Sequence, residues 1–377
     1  MIKIYLILFF NLLLCAKETL YVNYPNYLPS KSVKTSFGYE LIKLIDNSKS
    51  EIAFAIYGLR GQDDILKALT NAKNRGVEIK GVVDSDSHGK NYYTDTHLLY
   101  KHFDISTDKK SYIMHNKFFI FDKKILWTGS SNISDTGTGG YNSNNVLVSD
   151  NQEVVDVYYD EFEQMFEKRK FSNKKHKHSV KNIDTGDSVV SIYFSPKSNT
   201  YNSGLKDIVN SAKKYIYIPI FYLTHKPLAK DLIIAHNSGV DIRIILDASA
   251  ARNKYSIHKK LRKMGVPVKV ENFGGKMHNK SMIIDDKYIV SGSMNFTKAG
   301  NSKNDENTIV VNNKRLAKQY KDFFLNLWVT IPDKYLYRNP NPESKDSINS
   351  CFDKIDNDFD KSIDKNDKLC LKKYKGK

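Results

Sequence analysis

An α/β fold made of two tandem sandwich halves, packed as one pseudo-twofold body, is what this sequence predicts. Three observations carry the prediction. The stretch MHNKFFIFDKKILWTGSSN at 114–132 returns as MHNKSMIIDDKYIVSGSMN at 277–295. The offset of 163 residues that maps His115 onto His278 also maps Asn74–Ile79 onto Asn237–Ile242, Asp84 onto Asp247 and Asn144 onto Asn307. Such register is the mark of a tandem duplication. Within each half, segments of helical spacing alternate with β-rich runs, as a mixed sheet flanked by helices requires.

Residues 1–16 read as a signal peptide. Lys3 supplies the positive start, Ile4–Leu14 is almost wholly apolar, and Cys15-Ala16 gives way to Lys17. The run is too short to span a bilayer comfortably. An exported, periplasmic or secreted protein is therefore expected. Lipid attachment at Cys15 is the lesser expectation, because Leu14 stands where a lipoprotein box wants a small residue. No other segment is apolar enough for a membrane span.

The first half is expected over 37–167. Its elements are a helix at Gly38–Asn47, a buried strand at Glu51–Tyr57, a helix at Asp63–Asn74 ended by Gly76, and a strand at Val77–Asp84. Lys117–Phe121 is β-rich, which would put His115 and Lys117 on one face of a strand. Ile125–Thr128 follows as a strand, and a helix at Gln152–Glu167 closes the half. Residues 168–188 are polar and basic and read as a solvated linker.

The second half, 189–330, repeats the order. Strands are expected at Ser191–Phe194, Tyr215–Leu223 and Val240–Asp247, and helices at Gly204–Lys213, Lys226–His236, Ser256–Met264 and Arg315–Trp328. After Ile331 the composition turns to Asn, Pro, Asp, Ser and Lys, so 331–377 is expected to be a loosely ordered tail. Asp356, Asp358 and Asp360 alternate there. Lys361 stands where an EF-hand loop needs glycine and no glutamate closes the loop, so no metal is expected. Cys351 and Cys370, which remain if the signal is removed, suggest a disulfide in an exported chain.

The formal net charge of +17 makes an anionic partner plausible, nucleic acid or an acidic lipid surface, although lysine predominates throughout the chain. The repeated motif says more. An attack on a phosphodiester needs its negative charge offset first. Lys117 and Lys280 supply cations, and Ser130, Asn132, Ser293 and Asn295 supply neutral donors for the phosphate oxygens. A neutral imidazole can then attack phosphorus while a protonated one gives its proton to the leaving alkoxide. An unperturbed pKa of about 6.5 suits histidine to both tasks. His115 and His278, one from each half, would share one site. With lysines in the cation role, no cofactor is called for. Taken singly, each of these residues is as well explained by a turn or a surface; two halves keeping all of them are not.

These positions form the HxKx4Dx6GSxN pattern, and over 38–328 the chain resembles the phospholipase D superfamily in both halves. The resemblance implies that His115 and His278 are nucleophile and general acid in either order, with both motifs of one chain, a monomer, meeting in one cleft. It places Asp122 and Asp285 in support of the site. Glu306 matches an acidic residue that orients a histidine in that family, and the 163-residue offset sets Ser143 opposite it. If an acidic partner raises nucleophilicity, the offset favours His278. The family implies hydrolysis of phospholipid head groups as the expected activity, with a metal-independent endonuclease as the alternative, and phosphatidyl transfer or non-catalytic phosphate binding behind them. The membrane spans typical of cardiolipin synthases are not seen.

Overall fold

The computed structural model describes residues 18–26, 28–87, 92–109, 112–177 and 179–371. The expected signal peptide lies outside the described residues. Each half is built on one mixed sheet. In the first, seven strands run in the order Thr19–Val22, Asn145–Ser149, Ile125–Gly129, Phe118–Phe121, Glu51–Ile56, Glu78–Val83, Asp104–Thr107. In the second, the order is Ser179–Asp184, Val189–Ser195, Glu306–Asn312, Tyr288–Gly292, Met282–Ile284, Tyr215–Ile220, Asp241–Leu246, Val268–Val270. The last three strands of each order pair in parallel and the others antiparallel. Both sheets are therefore the same construction.

Glu51–Ile56 and Tyr215–Ile220 are buried at every residue, because helices or the other half cover both faces of each sheet. One apolar core runs between the halves. It joins Phe118, Tyr158 and Phe162 of the first to Phe194, Ile283, Ile309 and Phe324 of the second. Helices Gln152–Phe166 and Lys314–Thr330 line it, capped alike by Asn151 on the Val154 N–H (3.1 Å) and Asn313 on the Leu316 N–H (3.0 Å). Separate cores fill the outer side of each half. A shared core of this kind makes the two halves one body.

Four expectations need correction. The first half begins at Thr19, because Thr19–Val22 takes the edge place that Val189–Ser195 takes in the second. The segment 168–188 is not simply a solvated linker. Ser179–Asp184 pairs with Val189–Ser195, and Lys175 is buried between Glu161 and Asp305 (2.7 Å to the latter). The tail has little regular structure yet is packed: Glu343, Ser350, Cys351, Asp353, Asp367 and Cys370 are buried, and Cys351 and Cys370 form a disulfide. Its polar composition misled because covalent closure and polar contacts, rather than an apolar run, hold it.

The fourth correction concerns register. Gly129 faces Val146 and Gly292 faces Thr308, so the closing strands of the halves are related by 162 residues, not 163. Asn144, not Ser143, is the counterpart of Glu306, and Asn145 is that of Asn307. Among the described residues no helix is long and apolar enough to cross a membrane.

Candidate active site

His115 and Lys117 sit in an extended segment just before strand Phe118–Phe121 rather than within it. Their backbone is tied to the other half. The His115 N–H donates to the Asp305 carbonyl (2.8 Å), and the His278 N–H donates to the Ser143 carbonyl (2.9 Å). Just upstream, the Met114 N–H donates to Asp84 (2.7 Å) and the Met277 N–H to Asp247 (3.1 Å). Each histidine is thus fixed between a carboxylate of its own half and the residues that lead into the final strand of the other.

The rings follow the same crossed plan. His115 Nδ1 lies 2.8 Å from Glu306 Oε2, which also accepts the Ser293 hydroxyl (2.7 Å). His278 Nδ1 lies 3.0 Å from Asn144 Oδ1 and 3.1 Å from the Ser130 carbonyl, and the Ser130 hydroxyl donates to Asn144 (2.9 Å). Carboxylate, amide and carbonyl oxygens all accept, so Nδ1 carries the proton in both rings and Nε2 is left for chemistry. Gly129 and Gly292 permit this closeness: a Cβ would stand 2.2 Å from the Asn145 carbonyl oxygen and 2.3 Å from that of Asn307.

The arrangement is electrically uneven. Burial lowers His115, with Glu306 opposing. Burial holds His278 well below the ordinary histidine value, and Lys280, Lys117, His115 and Lys276 add to the effect. His278 therefore faces both motif lysines and lacks a carboxylate. Burial pushes Lys117 down to about 7, against Glu306 and Asp84, and takes Lys280 well below its usual range. Their Nζ atoms donate to the His115 (2.9 Å) and His278 (2.6 Å) carbonyls. Buried and poorly compensated, these groups gain their charge most readily beside an anion.

A cleft of about 550 Å3 opens over His278 and Asn132. Asn132 Oδ1 is buried and accepts no hydrogen bond, whereas Asn295 Oδ1 accepts the Tyr222 N–H (3.3 Å). The cleft walls are aromatic and cationic, with Arg60, Tyr92, Tyr93, Phe221 and Lys276, and Phe359 arriving from the tail. The Arg60 guanidinium lies 3.5 Å over the Tyr92 ring and Lys276 Nζ 4.2 Å over Phe359.

Several of the expected residues have other partners. The Ser130 and Ser293 hydroxyls are spent on Asn144 and Glu306, so they hold the histidines' partners and do not offer themselves to phosphate. Asn295 orients the Tyr222 backbone. Asp122 and Asp285 lie at the far ends of the motif strands. Asp122 accepts N–H groups from Lys49 (2.9 Å), Ser50 (2.7 Å) and Glu51 (3.0 Å), and Asp285 from Lys213 (2.6 Å), Lys214 and Tyr215 (both 2.8 Å). Against the upward push of partial burial, those donors hold Asp122 below the usual carboxylate range. Both aspartates have positive φ (51° and 56°) and stabilise a turn. Asn144, Asp84, Asp247 and Lys276 are additions of the structure. The repeat pairs Asp84 with Asp247 and draws attention to Asn144, though in the wrong register; nothing marked Lys276.

The chain is similar to known proteins in both halves. Residues 41–166 and 205–328 each match the family described as cardiolipin synthase, PLD-like domain. The phospholipase D of Rickettsia conorii is 32% identical over 139 residues, which is 37% of this chain and 69% of that protein. The mitochondrial cardiolipin hydrolase of Chlamydomonas reinhardtii is 31% identical over 122 residues, 32% of this chain and 55% of that one. The crystal structure of phosphatidylserine synthase from Haemophilus influenzae aligns over 84% of this chain and 89% of its own with a TM-score of 0.62 at 14% identity, a likeness of fold.

Proposed function

The chain belongs to the phospholipase D-like family, and from that premise we propose that it is an exported phosphodiesterase acting on phospholipid head groups through a phosphohistidine on His115. The observation that carries this reading is the crossed pair of imidazoles, each with Nδ1 held by the other half and Nε2 free. Attack by His115 Nε2 on phosphorus places positive charge on a ring whose far side meets the Glu306 carboxylate at 2.8 Å. Asn144 gives His278 only a dipole, so His278 is the better proton carrier than nucleophile.

In the first step the N–P bond forms and the P–O bond to the head-group alcohol breaks, the alkoxide taking the proton from His278 Nε2. In the second, water gives a proton to His278 and its oxygen attacks phosphorus. The N–P bond breaks and His115 returns neutral. Two in-line displacements retain configuration at phosphorus. Lys117, Lys280 and Asn132 offset and orient the phosphate oxygens. The anion itself favours protonation of the lysines and of His278, groups that burial disfavours in the free enzyme.

The names of the relatives favour lipid, and the disulfide supports export into an oxidising compartment. The net charge of +17 and the aromatic, cationic cleft favour a second reading, a metal-independent nuclease. One assay separates them: purified protein with EDTA against labelled phosphatidylcholine, phosphatidylethanolamine and plasmid DNA. Phosphatidic acid without DNA nicking, and a phosphatidyl alcohol when a primary alcohol is added, support the lipase. Nicking without lipid cleavage overturns it.

A further inference from the structure

Behind Phe359 the tail gathers carboxylates. Between Cys351 and Cys370 the chain carries Asp353, Asp356, Asp358, Asp360, Asp364 and Asp367, and Glu343 folds in beside them. Oxygens of Glu343, Asp356 and Asp358 all lie within 4.8 Å of one another, as do those of Asp358, Asp360 and Asp367. Oxygens sharing one calcium ion, each at roughly 2.4 Å, can stand no farther apart than roughly 4.8 Å.

These groups are not an exposed acidic patch. Glu343 is 0% and Asp367 1% exposed, and buried carboxylates ordinarily have a cation or a full set of hydrogen bonds. Arg252 reaches Asp358. Glu343 accepts the N–H groups of Asn357 (2.7 Å) and Asp364 (2.6 Å). Asp367 Oδ1 accepts those of Leu369 (2.6 Å) and Cys370 (3.2 Å), but Asp367 Oδ2 is buried with no hydrogen-bond partner. A buried carboxylate with one oxygen unsatisfied, standing within 4.8 Å of two further carboxylates, calls for positive charge.

We propose that Glu343, Asp356, Asp358, Asp360 and Asp367 bind a hard divalent cation, calcium by the all-oxygen character of the donors and the irregular loop that carries them. Asp358 belongs to both triplets, so the loop offers one or two ions. The EF-hand spacing is absent, as the sequence indicates, but the fold brings Glu343 to the loop from outside it and the disulfide closes the loop. The same loop forms a wall of the catalytic cleft through Lys354, Ile355, Asp356, Asn357 and Phe359. The cation therefore fixes the position of Phe359 against Lys276. Only that consequence for substrate rests on the phosphodiesterase reading.

The test is calorimetric titration of calcium chloride into the full, disulfide-intact chain after EDTA treatment and dialysis, alongside thermal unfolding. The expected result is saturable binding of one or two ions with Kd below roughly 1 mM and a rise in Tm. Asp360→Asn, at an exposed position, and Asp358→Asn/Asp367→Asn should weaken binding tenfold or more. Hydrolysis of the small diester bis(p-nitrophenyl) phosphate should survive EDTA, which keeps this site distinct from the chemistry. Absence of saturable heat and of any Tm change with calcium or magnesium would overturn the proposal. So would binding that is undiminished in both variants.

Discussion

Replacing Glu306 by glutamine keeps a hydrogen-bond acceptor behind His115 and removes its charge. At 2.8 Å from Nδ1, that charge attracts an imidazolium by about 6 kcal/mol at an effective dielectric near 20. Desolvation cancels most of this, and hydrogen bonds to charged groups keep a net of about 1.5–3 kcal/mol. At 1.36 kcal/mol per tenfold, formation of the phosphohistidine should slow roughly 10- to 150-fold. The assay is a rapid-quench burst of p-nitrophenol from bis(p-nitrophenyl) phosphate, whose good leaving group isolates the attack from acid catalysis. Asn144→Asp is the companion. It gives His278 a carboxylate, should raise its pKa, and so should move the alkaline limb of kcat/KM up by roughly 1–3 pH units with a phospholipid, whose alkoxide needs the acid to leave. An unchanged burst in Glu306→Gln, with only the later hydrolysis slowed, would refute the assignment of His115 as nucleophile.

Other outcomes follow from the same geometry. Lys117, pushed down to about 7 by burial, loses its charge as pH rises through that value, and anion binding restores it. The affinity of an unreactive phosphodiester analogue, measured by competition, should therefore be fullest below pH 7 and weaken above it; a flat profile from pH 6 to 8 would contradict this. Lys175→Ala leaves Glu161 and Asp305 buried and unpaired, so it should cost about 3–5 kcal/mol in denaturant unfolding. A loss under about 1 kcal/mol would show the triad to be solvated. Cys351→Ser releases a loop whose closure is worth about 3 kcal/mol, so proteolysis should reach the tail first while the cleavage-resistant body, residues 19–330, persists. Equal rates of cleavage in variant and parent would deny the disulfide that role.

Much of the fold was legible because its determinants are local. Asp63–Asn74 has its apolar stripe and its Gly76 stop, and the helix occupies those residues. The alternation of elements and the repeated motif likewise sit in contiguous stretches. What escaped the sequence is non-local. Three asparagines stand together in the stretch Asn142–Asn145, with Ser143 among them, so either Asn144 or Asn145 could be aligned on Asn307. Strand pairing decides for Asn145 and brings Asn144 opposite Glu306. The partner of Glu306 escaped for a second reason: it follows the His278 motif in the chain, yet in the fold it reaches His115 across the interface. The Ser130 and Ser293 hydroxyls look like phosphate donors until their acceptors are seen. The tail reads as solvated because its composition is polar, and only the contacts of Glu343 and Asp367 reveal what is buried in it.

The most direct measurement uses His278→Asn with bis(p-nitrophenyl) phosphate, followed by alkaline quench and peptide mass spectrometry. Nitrophenol needs no acid to leave, while release of the second-step product needs His278 to activate water. One equivalent of nitrophenolate per chain should appear, and the phosphoryl adduct should accumulate on His115. Steady turnover in this variant, or an adduct on any other residue, would contradict a site in which two imidazoles divide the work at one phosphorus.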